Sequence, residues 1–339
     1  MIPPGRHEPN RNSAATGWRN ELRMAIRSST QLCQALGIES SSVRGHCDDD
    51  SEFPVLVPRS LLGRMRHGDA DDPILRQVLA VRTEREASPG FSNDPLHESE
   101  FAANGIIRKY AGRALLVTTA ACPVHCRYCF RRHFPYEAQS AARGRWSHAL
   151  STLQQSPQVH EVILSGGDPL SLSTDRLREL FEGLDAIPSV DTVRIHTRFP
   201  VIVPSRITTA LLSMLEKSRL NTVVVLHCNH ANELAEDAVE AALEALSHSV
   251  NQLLNQTVLL RGVNDSVDEL CALSRSLLRA RVSPYYLHCL DPVAGSAHFD
   301  VAEETALQLV GEMRRTMPGY LVPRLVREDP GALSKTPLS

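Results

Sequence analysis

The sequence predicts an α/β protein whose core is a curved, partial barrel of six strand–helix repeats, (βα)6. From residue 105 onward, short apolar and β-branched runs alternate with longer segments of helical spacing. Such alternation is typical of a parallel sheet with helices packed outside it. No Gly-x-Gly-x-x-Gly turn follows the first predicted strand, and its absence favours a partial barrel over a doubly wound sheet.

The front third of the chain is predicted to be a small helical region. Apolar residues recur at helical spacing over 18–36, and shorter helical patterns cover 59–65 and 73–81. Residues 1–17, rich in Pro, Asn, Arg and Ser, are predicted to be disordered. Residues 84–98 contain Ser-Pro-Gly and Asp-Pro and are predicted to form a connector.

Strands and helices are then predicted to alternate to the end of the chain. The strands are predicted at 113–119, 161–165, 192–197, 222–227, 257–260 and 284–290, with a short last strand at 320–326. The helices are predicted near 147–155, 174–184, 205–218, 231–247, 266–281 and 301–316. In such barrels the chemistry lies at the C-terminal ends of the strands.

Composition excludes several classes of protein. The 339 residues are 42% hydrophobic and 22% charged, as expected for a globular protein. The 36 basic residues are dispersed and offset by 39 acidic ones, which gives little support to nucleic-acid binding. We find neither a membrane-length apolar run nor a signal peptide, and the eight cysteines are irregularly spaced. These features predict a cytoplasmic protein with reduced thiols.

The most informative motif is the run Cys-Pro-Val-His-Cys-Arg-Tyr-Cys, which contains Cys122, Cys126 and Cys129. A [4Fe–4S] cluster is usually held by four thiolates, one for each iron, so three thiolates leave one iron open. An open position distinguishes a catalytic metal site from a closed structural one. The alternative is a zinc site completed by His125 or His133, although no second Cys-x-x-Cys pair exists in the chain.

A second motif, Ser-Gly-Gly-Asp-Pro-Leu, ends the second predicted strand and contains Gly166, Gly167 and Asp168. Two glycines let the backbone approach a ligand closely, and exposed N–H groups can hold a charged group through hydrogen bonds. The alternative is an ordinary turn between a strand and a helix.

The cysteine spacing is the signature of radical S-adenosylmethionine (radical SAM) enzymes, and several longer segments resemble the lysine 2,3-aminomutase family among them. The resemblance covers about residues 95–339, and its segments start at Arg108, Cys126, Ser165, Arg194, His227, Asn255, Tyr286 and Ser334. It implies a TIM-like radical SAM barrel over 99–316. Residues 1–98 would form the N-terminal helical region, and 317–339 a C-terminal segment that carries the cofactor lysine.

The resemblance implies three cofactors: a [4Fe–4S] cluster on the three cysteines, S-adenosylmethionine and pyridoxal 5′-phosphate. Gly166, Gly167, Asp168 and Gln256 match positions near S-adenosylmethionine. Lys335 matches the lysine that carries pyridoxal phosphate as a Schiff base, and Lys109 stands where the family has an arginine for the phosphate. The only other lysine, Lys217, is predicted to lie on a solvated helix face, where it would not be desolvated enough for this chemistry.

The substrate implied by the resemblance is lysine. Arg131 matches the arginine that binds the substrate carboxylate, and Asp291 and Glu328 match the two acids that face the ε-ammonium. The family's metabolic enzymes have an aspartate where Glu328 stands, so the extra methylene puts catalytic rate and product stereochemistry in question. An acid pair argues against a substrate with an anionic side chain such as glutamate.

Within the family the chain most resembles the branch that supplies β-lysine for the modification of elongation factor P, on the ground of its short tail after Lys335. That resemblance implies an electron donor protein and a functional link to elongation factor P and its lysine ligase. The alternatives are a metabolic 2,3-aminomutase on lysine or another amino acid, and a non-catalytic iron–sulfur or zinc protein. His196, His227 and His230 are predicted to line the cofactor pocket, and Cys228 and Cys289 to be small apolar fillers.

Overall fold

The computed structural model describes residues 11–103, 105–136, 141 and 146–339. These residues contain one sheet of ten strands, which lie side by side in chain order. The strands are β1 (Ala102–Ala103), β2 (Ile106–Ile107), β3 (Arg113–Thr119), β4 (Glu161–Gly166), β5 (Thr192–Thr197), β6 (Asn221–His227), β7 (Gln252–Val258), β8 (Ser283–His288), β9 (Arg324–Arg327) and β10 (Thr336–Pro337).

The helices fall into a front group and a group that alternates with the strands. The front group is α1 (Arg11–Arg23), α2 (Ser29–Ala35), α3 (Arg59–Leu62), α4 (Pro73–Val78) and α5 (Glu98–Phe101). The second group is α6 (Ser147–Gln154), α7 (Thr174–Asp185), α8 (Phe199–Ile202), α9 (Thr209–Lys217), α10 (Asp237–Ser249), α11 (Val267–Arg279) and α12 (Glu303–Thr316). No helix in the described ranges has the length and apolarity that a membrane crossing requires.

Most of the sheet is parallel. The strands from β3 to β9 run parallel to their neighbours, whereas β1, β2 and β10 are short antiparallel additions at the two edges. The prediction of an α/β protein with a parallel sheet is therefore confirmed. The carboxyl ends of the parallel strands all lie at the same end of the sheet, where the cysteine loop also begins.

One face of the parallel sheet carries the apolar core. Residues two apart share a face of a strand, and on this face Leu164, Ile195 and Leu226 pack in one cluster with helix residues such as Leu180 and Leu243. The opposite, inner face carries partly exposed polar side chains, among them those of His196, His227, Gln256 and Tyr286. Helices on one face leave the other free to line a site.

The two edges of the sheet approach each other. Lys109, between β2 and β3, lies with its Nζ 3.2 Å from Oε1 of Glu328, which directly follows β9. Six spacings of about 4.8 Å would separate β3 from β9 by roughly 29 Å in a flat sheet. Two side chains cannot span that distance, so the sheet must curve around its inner face.

In the front third, two predictions differ from the structure. The single helix predicted over 18–36 is wrong, because α1 ends at Arg23 and Ile26 instead forms a β-bridge with Val57. Helix α2 then starts after Ser28, whose hydroxyl caps it by accepting a hydrogen bond from the Gln31 amide at 3.2 Å. Residues 11–17, predicted to be disordered, belong to α1; residues 1–10 lie outside the described residues.

Two strand predictions are also displaced. The strand expected at 257–260 is β7, which starts at Gln252 and ends at Val258. The last strand, expected at 320–326, begins only at Arg324 because Gly319–Leu321 form a 3-10 turn. The remaining parallel strands lie within about two residues of their predicted bounds.

Candidate active site

The three cysteines of the motif lie in the loop after β3. Cys122, Cys126 and Cys129 are partly exposed free thiols. Burial raises the pKa of the Cys122 thiol, and it raises the pKa of Cys129 to about 11; in both cases the charge of neighbouring cysteines adds to the shift. Three thiolates crowded in this way are costly without a cation, so the loop is suited to a positively charged metal group.

The zinc alternative finds no support in the geometry. Among the described residues, no three His, Cys, Asp or Glu side chains converge on a point that could hold a single ion. The two candidate histidines have other partners, since His125 Nδ1 lies 2.7 Å from the Pro54 carbonyl oxygen and His133 Nε2 lies 3.3 Å from that of Ala294. Thiolates that bind separate irons of one cube need not converge in this way.

The Gly-Gly-Asp turn at the end of β4 is hydrogen-bonded to the start of the cysteine loop. The Gly167 amide donates to the Thr119 carbonyl at 2.6 Å, and the Asp168 amide donates to that of Ala121 at 2.8 Å. A Cβ at Gly167 would lie 2.4 Å from the Ala121 carbonyl oxygen, so only glycine fits there. The sequence analysis expected these amides to be open to a ligand, but they are already donated to the loop.

Asp168 ties β4 to β5. Its carboxylate is buried and accepts hydrogen bonds from the Thr197 hydroxyl at 2.8 Å, the Arg198 amide at 2.7 Å and the Leu170 amide at 3.0 Å. Burial raises the pKa of Asp168 to about 6, against the effect of these hydrogen bonds. The side chain therefore positions two strand ends, and its carboxylate faces protein.

The helical front third grips the cysteine loop. Glu84 accepts hydrogen bonds from Arg127 at 2.8 and 2.5 Å and from Arg132 at 2.8 Å. These arginines lie on either side of Cys129. Gln77 accepts at its backbone carbonyl from the Arg127 amide at 2.8 Å. All of these side chains are nearly or fully buried, so the N-terminal region is part of the site.

One cysteine has a cationic neighbour. Arg198, immediately after β5, donates from Nη1 to Cys126 Sγ at 2.8 Å and to the Tyr128 hydroxyl at 3.0 Å. Its Nη2 donates to Glu233 at 2.5 Å. The sequence analysis quoted the segment around Arg198 but assigned the residue no role.

A string of five alternating charges runs from the cysteine loop to the C-terminal segment. Arg131 pairs with Glu98 at 2.6 and 2.9 Å, and Glu98 lies 3.3 Å from the Lys109 ammonium. Lys109 in turn pairs with Glu328 at 3.2 Å, and Glu328 also accepts from Lys335. Four of the sequence-predicted residues share this string, and Glu98 is the member that sequence reasoning missed.

The electrostatics of the string favour its charged state. Burial opposes ionisation of Glu98, but the charges of Arg131 and Lys109 outweigh it and hold the pKa of its carboxyl below the usual value. The pKa of Glu328 is likewise low, because Lys335 and Lys109 outweigh burial. A ligand that binds beside this string would therefore face charges whose positions are fixed.

Asp291 lies close to this string but behaves differently. Burial, and after it the charge of Glu328, raises the pKa of Asp291 to about 7, although Lys335 and Lys109 act in the other direction. No side chain in the described part of the molecule hydrogen-bonds to its carboxylate. Asp291 is therefore an acid without a cation of its own, available to one that arrives.

Polar atoms without a hydrogen-bond partner lie on the inner face of the sheet, near the string of charges and Asp291. Nε2 of both His196 and His288 is buried without a hydrogen-bond partner, and burial holds the pKa of each imidazole well below its usual value. The Gln256 amide makes no hydrogen bond within the described ranges, and Nε of Arg113 is also unpaired. Buried polar atoms of this kind call for a ligand or water.

The other histidines and cysteines have structural partners. His227 Nε2 lies 3.1 Å from the Tyr128 hydroxyl, and the two rings stack. His230 Nε2 lies 2.6 Å from a Glu269 carboxylate oxygen. Cys228 is wholly buried, as expected of a filler, while Cys289 is only partly buried.

Glu98, Glu84 and Glu233 contact candidate site residues, and sequence reasoning missed all three. Glu98 follows Asp-Pro in the predicted connector, where no periodic pattern marks it. Glu84 lies 43 residues before its partner Arg127. Glu233 alone had a sequence signal nearby, because it directly follows the segment His-Cys-Asn-His-Ala-Asn that resembles the family.

A mostly parallel sheet with three cysteines in the loop after its first parallel strand is the arrangement of the radical SAM enzymes. No family model matches the chain. It is 42% identical to "L-lysine 2,3-aminomutase" of Escherichia coli over 322 residues, 95% of this chain and 94% of that protein. The enzyme of the same name from Haemophilus influenzae is 38% identical over 94% of each chain. The chain therefore belongs to the lysine 2,3-aminomutase family of isomerases.

More distant similarities complete the comparison. L-lysine 2,3-aminomutase of Clostridium subterminale is 33% identical over 95% of this chain and 77% of its own length. Among solved structures, Streptococcus suis SuiB bound to its precursor peptide SuiA matches with a TM-score of 0.47 and 13% identity, over 67% of this chain and 50% of that one.

The family uses a [4Fe–4S] cluster, S-adenosylmethionine and pyridoxal 5′-phosphate, and the residues present fit these groups. The cysteine loop offers three sulfur donors to a cluster. Arg113 stacks on Tyr110 at 4.3 Å, Tyr110 donates to Glu328 at 3.1 Å, and the unpaired Arg113 Nε is a donor for an anionic group near Lys335. A phosphate there would satisfy that buried atom.

Proposed function

We propose that the protein is a radical SAM, pyridoxal phosphate-dependent aminomutase that converts α-lysine to β-lysine. The observation that carries the proposal is the string of charges from Arg131 through Glu98, Lys109 and Glu328 to Lys335. It brings the lysine of the C-terminal segment to the arginine that lies two residues after the last cysteine. A substrate with one carboxylate and two amines is complementary to such a surface.

Cys122, Cys126 and Cys129 would each bind one iron, which leaves the fourth open to S-adenosylmethionine. When bound, the cluster and S-adenosylmethionine supply a hydrogen-abstracting radical, and pyridoxal phosphate carries the migrating amine. Gln256, with its unpaired amide, and Gly166 would contact S-adenosylmethionine. Gly167 and Asp168 would act at the same position, chiefly by holding the cysteine loop through their amides.

Lys335 would hold pyridoxal phosphate through its amine. Its side chain is 23% exposed, and its Nζ lies 5.9 Å from the Tyr286 ring centre, so the amine is partly desolvated yet reachable. Glu328 would keep this amine in place. Lys109 and Arg113 would bind the cofactor phosphate as point charge and hydrogen-bond donor.

Substrate lysine would be held at both ends. Arg131 would bind its carboxylate, with Glu98 fixing the guanidinium in the required orientation. Asp291 and Glu328 would face the ε-ammonium. The same two acids would repel the side-chain carboxylate of glutamate. Holding both ends orients the reacting carbons and excludes water from the radical.

The finer architecture and setting are also proposals. We take the curved sheet to be a partial (βα)6 barrel over 99–316, flanked by the helical region 1–98 and the segment 317–339. Eight free cysteines suit a reducing cytoplasm. The cluster would receive its electron from a donor protein.

We further propose that the β-lysine serves the modification of elongation factor P, through that protein's lysine ligase. The proposal rests on the resemblance of the chain to that branch of the family; the match covers 94% of the Escherichia coli relative and 77% of the Clostridium subterminale one. Supplying purified ligase and elongation factor P with the product should yield a β-lysyl adduct by mass spectrometry. Equal modification with α-lysine alone would contradict the link.

The decisive experiment is anaerobic incubation of the reconstituted protein with lysine, S-adenosylmethionine, pyridoxal phosphate and dithionite, followed by product analysis. β-Lysine is expected, and glutamate in place of lysine should give no product. Cys126→Ala should abolish the reaction, whereas Cys289→Ala, a partly buried cysteine outside the loop, should retain it. Reconstituted wild-type protein that forms no β-lysine would overturn the proposal.

A further inference from the structure

Arg198 is held on Cys126 by three fixed contacts. Its backbone amide donates to Asp168 at 2.7 Å, which anchors the residue at the end of β5. Its Nη1 donates to Cys126 Sγ at 2.8 Å, and its Nη2 donates to Glu233 at 2.5 Å. The guanidinium is therefore a charged donor aimed at one sulfur.

Glu233 cannot turn away from Arg198, because its carboxylate is saturated. It is wholly buried, and its Oε1 accepts from the Asn229 amide at 2.9 Å, the His230 amide at 3.0 Å and Gln77 Nε2 at 3.1 Å. Only Oε2 is left for Arg198. Gln77 belongs to the helical front third, so that region also fixes this geometry.

The other arginines near the loop are engaged elsewhere. Arg127 and Arg132 pair with Glu84, and Arg131 pairs with Glu98 and donates to the Ser165 hydroxyl at 2.8 Å. Among the described residues, Arg198 alone donates a guanidinium hydrogen bond to a cysteine of the loop. The asymmetry singles out the sulfur of Cys126.

We propose that Arg198, oriented by Glu233, is a positioning residue that raises the reduction potential of the cluster through Cys126. The proposal depends on the proposed function only in taking Cys126 as a cluster ligand. Reduction adds one electron, and a cationic N–H donor at the ligating sulfur stabilises the more negative, reduced state. Without this bond the cluster would be harder to reduce.

The test is a reductive titration with dithionite, followed by the electron paramagnetic resonance signal of the reduced cluster, without lysine or pyridoxal phosphate. Two variants are compared with wild type: Arg198→Met, and Arg198→Met with Glu233→Gln, which leaves no unpaired buried carboxylate. The matched control is Arg206→Met. Arg206 is also a buried arginine after β5, but it donates to the Leu170 carbonyl at 2.7 Å and to no cysteine.

Both Arg198 variants should lower the ratio of reduced to oxidised cluster at a given potential at least tenfold. For a one-electron couple that is a shift of about 59 mV. Arg206→Met should leave the ratio within twofold of wild type. An unchanged ratio in the double variant would overturn the proposal, as would failure of both Arg198 variants, but not Arg206→Met, to assemble a cluster. Wild type that takes up no cluster would instead overturn the proposed function.

Discussion

At the scale of single residues, the charges of the site are set by their partners. Glu98 gives Arg131 and Lys109 a shared anion, and Glu328 does the same for Lys109 and Lys335. Asp291 has no such partner, and burial, followed by the charge of Glu328, raises its pKa to about 7. The string therefore fixes the positions of its three cations, whereas Asp291 remains available to bind the cation of a substrate.

Lys335→Ala should remove the visible absorbance of bound pyridoxal phosphate and abolish β-lysine formation, because Lys335 is the amine proposed to hold the cofactor and the neighbouring Lys109 is already paired with Glu98 and Glu328. Reductive cleavage of S-adenosylmethionine should persist, since the cysteine loop is untouched. Lys217→Ala is the control: Lys217 is exposed on α9 and should leave the spectrum unchanged. Retained absorbance in Lys335→Ala, measured after dialysis, would refute the assignment.

Lysine binding should weaken as the pH falls below about 7. Only ionised Asp291 attracts an ammonium, and a carboxyl of pKa about 7 goes from roughly nine-tenths ionised at pH 8 to one-tenth at pH 6. We expect a loss of affinity of roughly tenfold, measured by equilibrium dialysis. Asp291→Asn should bind weakly with a flat profile, whereas Asp175→Asn, at an exposed acid of α7, should keep the slope.

The same shift affects folding with the opposite dependence on pH. The folded pKa of Asp291 lies above its unfolded value, so the favourable contribution of the protonated acid is complete below about pH 4. It is lost as the pH rises toward 7. Asp291→Asn should therefore stabilise the free protein most at pH 8, which chemical denaturation at both pH values would measure.

At the scale of elements, the turn after β4 determines where the cysteine loop lies. Gly166 adopts a φ of +111°, which favours glycine, and Gly167 packs against the loop backbone. The hydrogen bonds from Gly167 and Asp168 then join the end of β4 to the residues just before Cys122. A strand end and a metal-binding loop thus behave as one unit.

Gly167→Ala should displace this unit. The new Cβ would lie 2.4 Å from the Ala121 carbonyl oxygen and 2.7 Å from the Ala120 carbonyl carbon, and backbone must move to relieve the clash. We expect a loss of roughly 1–3 kcal/mol in stability and a lower iron content after reconstitution. Gly311→Ala in α12 meets no atom within 4 Å and should stabilise by about 0.5–1 kcal/mol with normal iron content.

At the scale of the whole molecule, the helical front third and the curved sheet meet at the cysteine loop. Glu84 and Gln77 contact the loop from one side, and Arg198, directly after β5, contacts it from the other. The function of the front region, which composition and motifs left open, includes holding this loop. Cluster binding and the packing of the two parts are therefore coupled.

Glu84→Gln should weaken that coupling, because Arg127 is fully buried and would lose its counter-charge. Removing one partner of a buried pair costs roughly 3–5 kcal/mol. We expect a lower denaturation midpoint and faster loss of iron to a chelator. Asp175→Asn, which breaks the exposed pair with Arg178, should change stability by about 0–1 kcal/mol. Equal effects of the two variants would contradict a structural role for Glu84.

Much of the fold could be predicted because its signals are local. Alternating strand and helix patterns located β3 to β6 and β8, whereas β7 was misplaced because its polar start, Gln252 to Gln256, obscured the strand pattern. The short edge strands β1, β2 and β10 were missed, since two residues carry no periodicity. The substrate roles of Arg131, Asp291 and Glu328 stay predictions.

By itself, the sequence determined the class of chemistry, because three thiols at close spacing and a glycine turn are properties of adjacent residues. Only the tertiary structure decided which charges meet. Arg198 lies 72 residues from Cys126, and Lys109 lies 219 residues from Glu328. The first pair forms because β3 and β5 both flank β4 in the parallel sheet, and the second because the sheet curves until its edges approach. Burial then makes each charge dependent on a partner that no local pattern identifies.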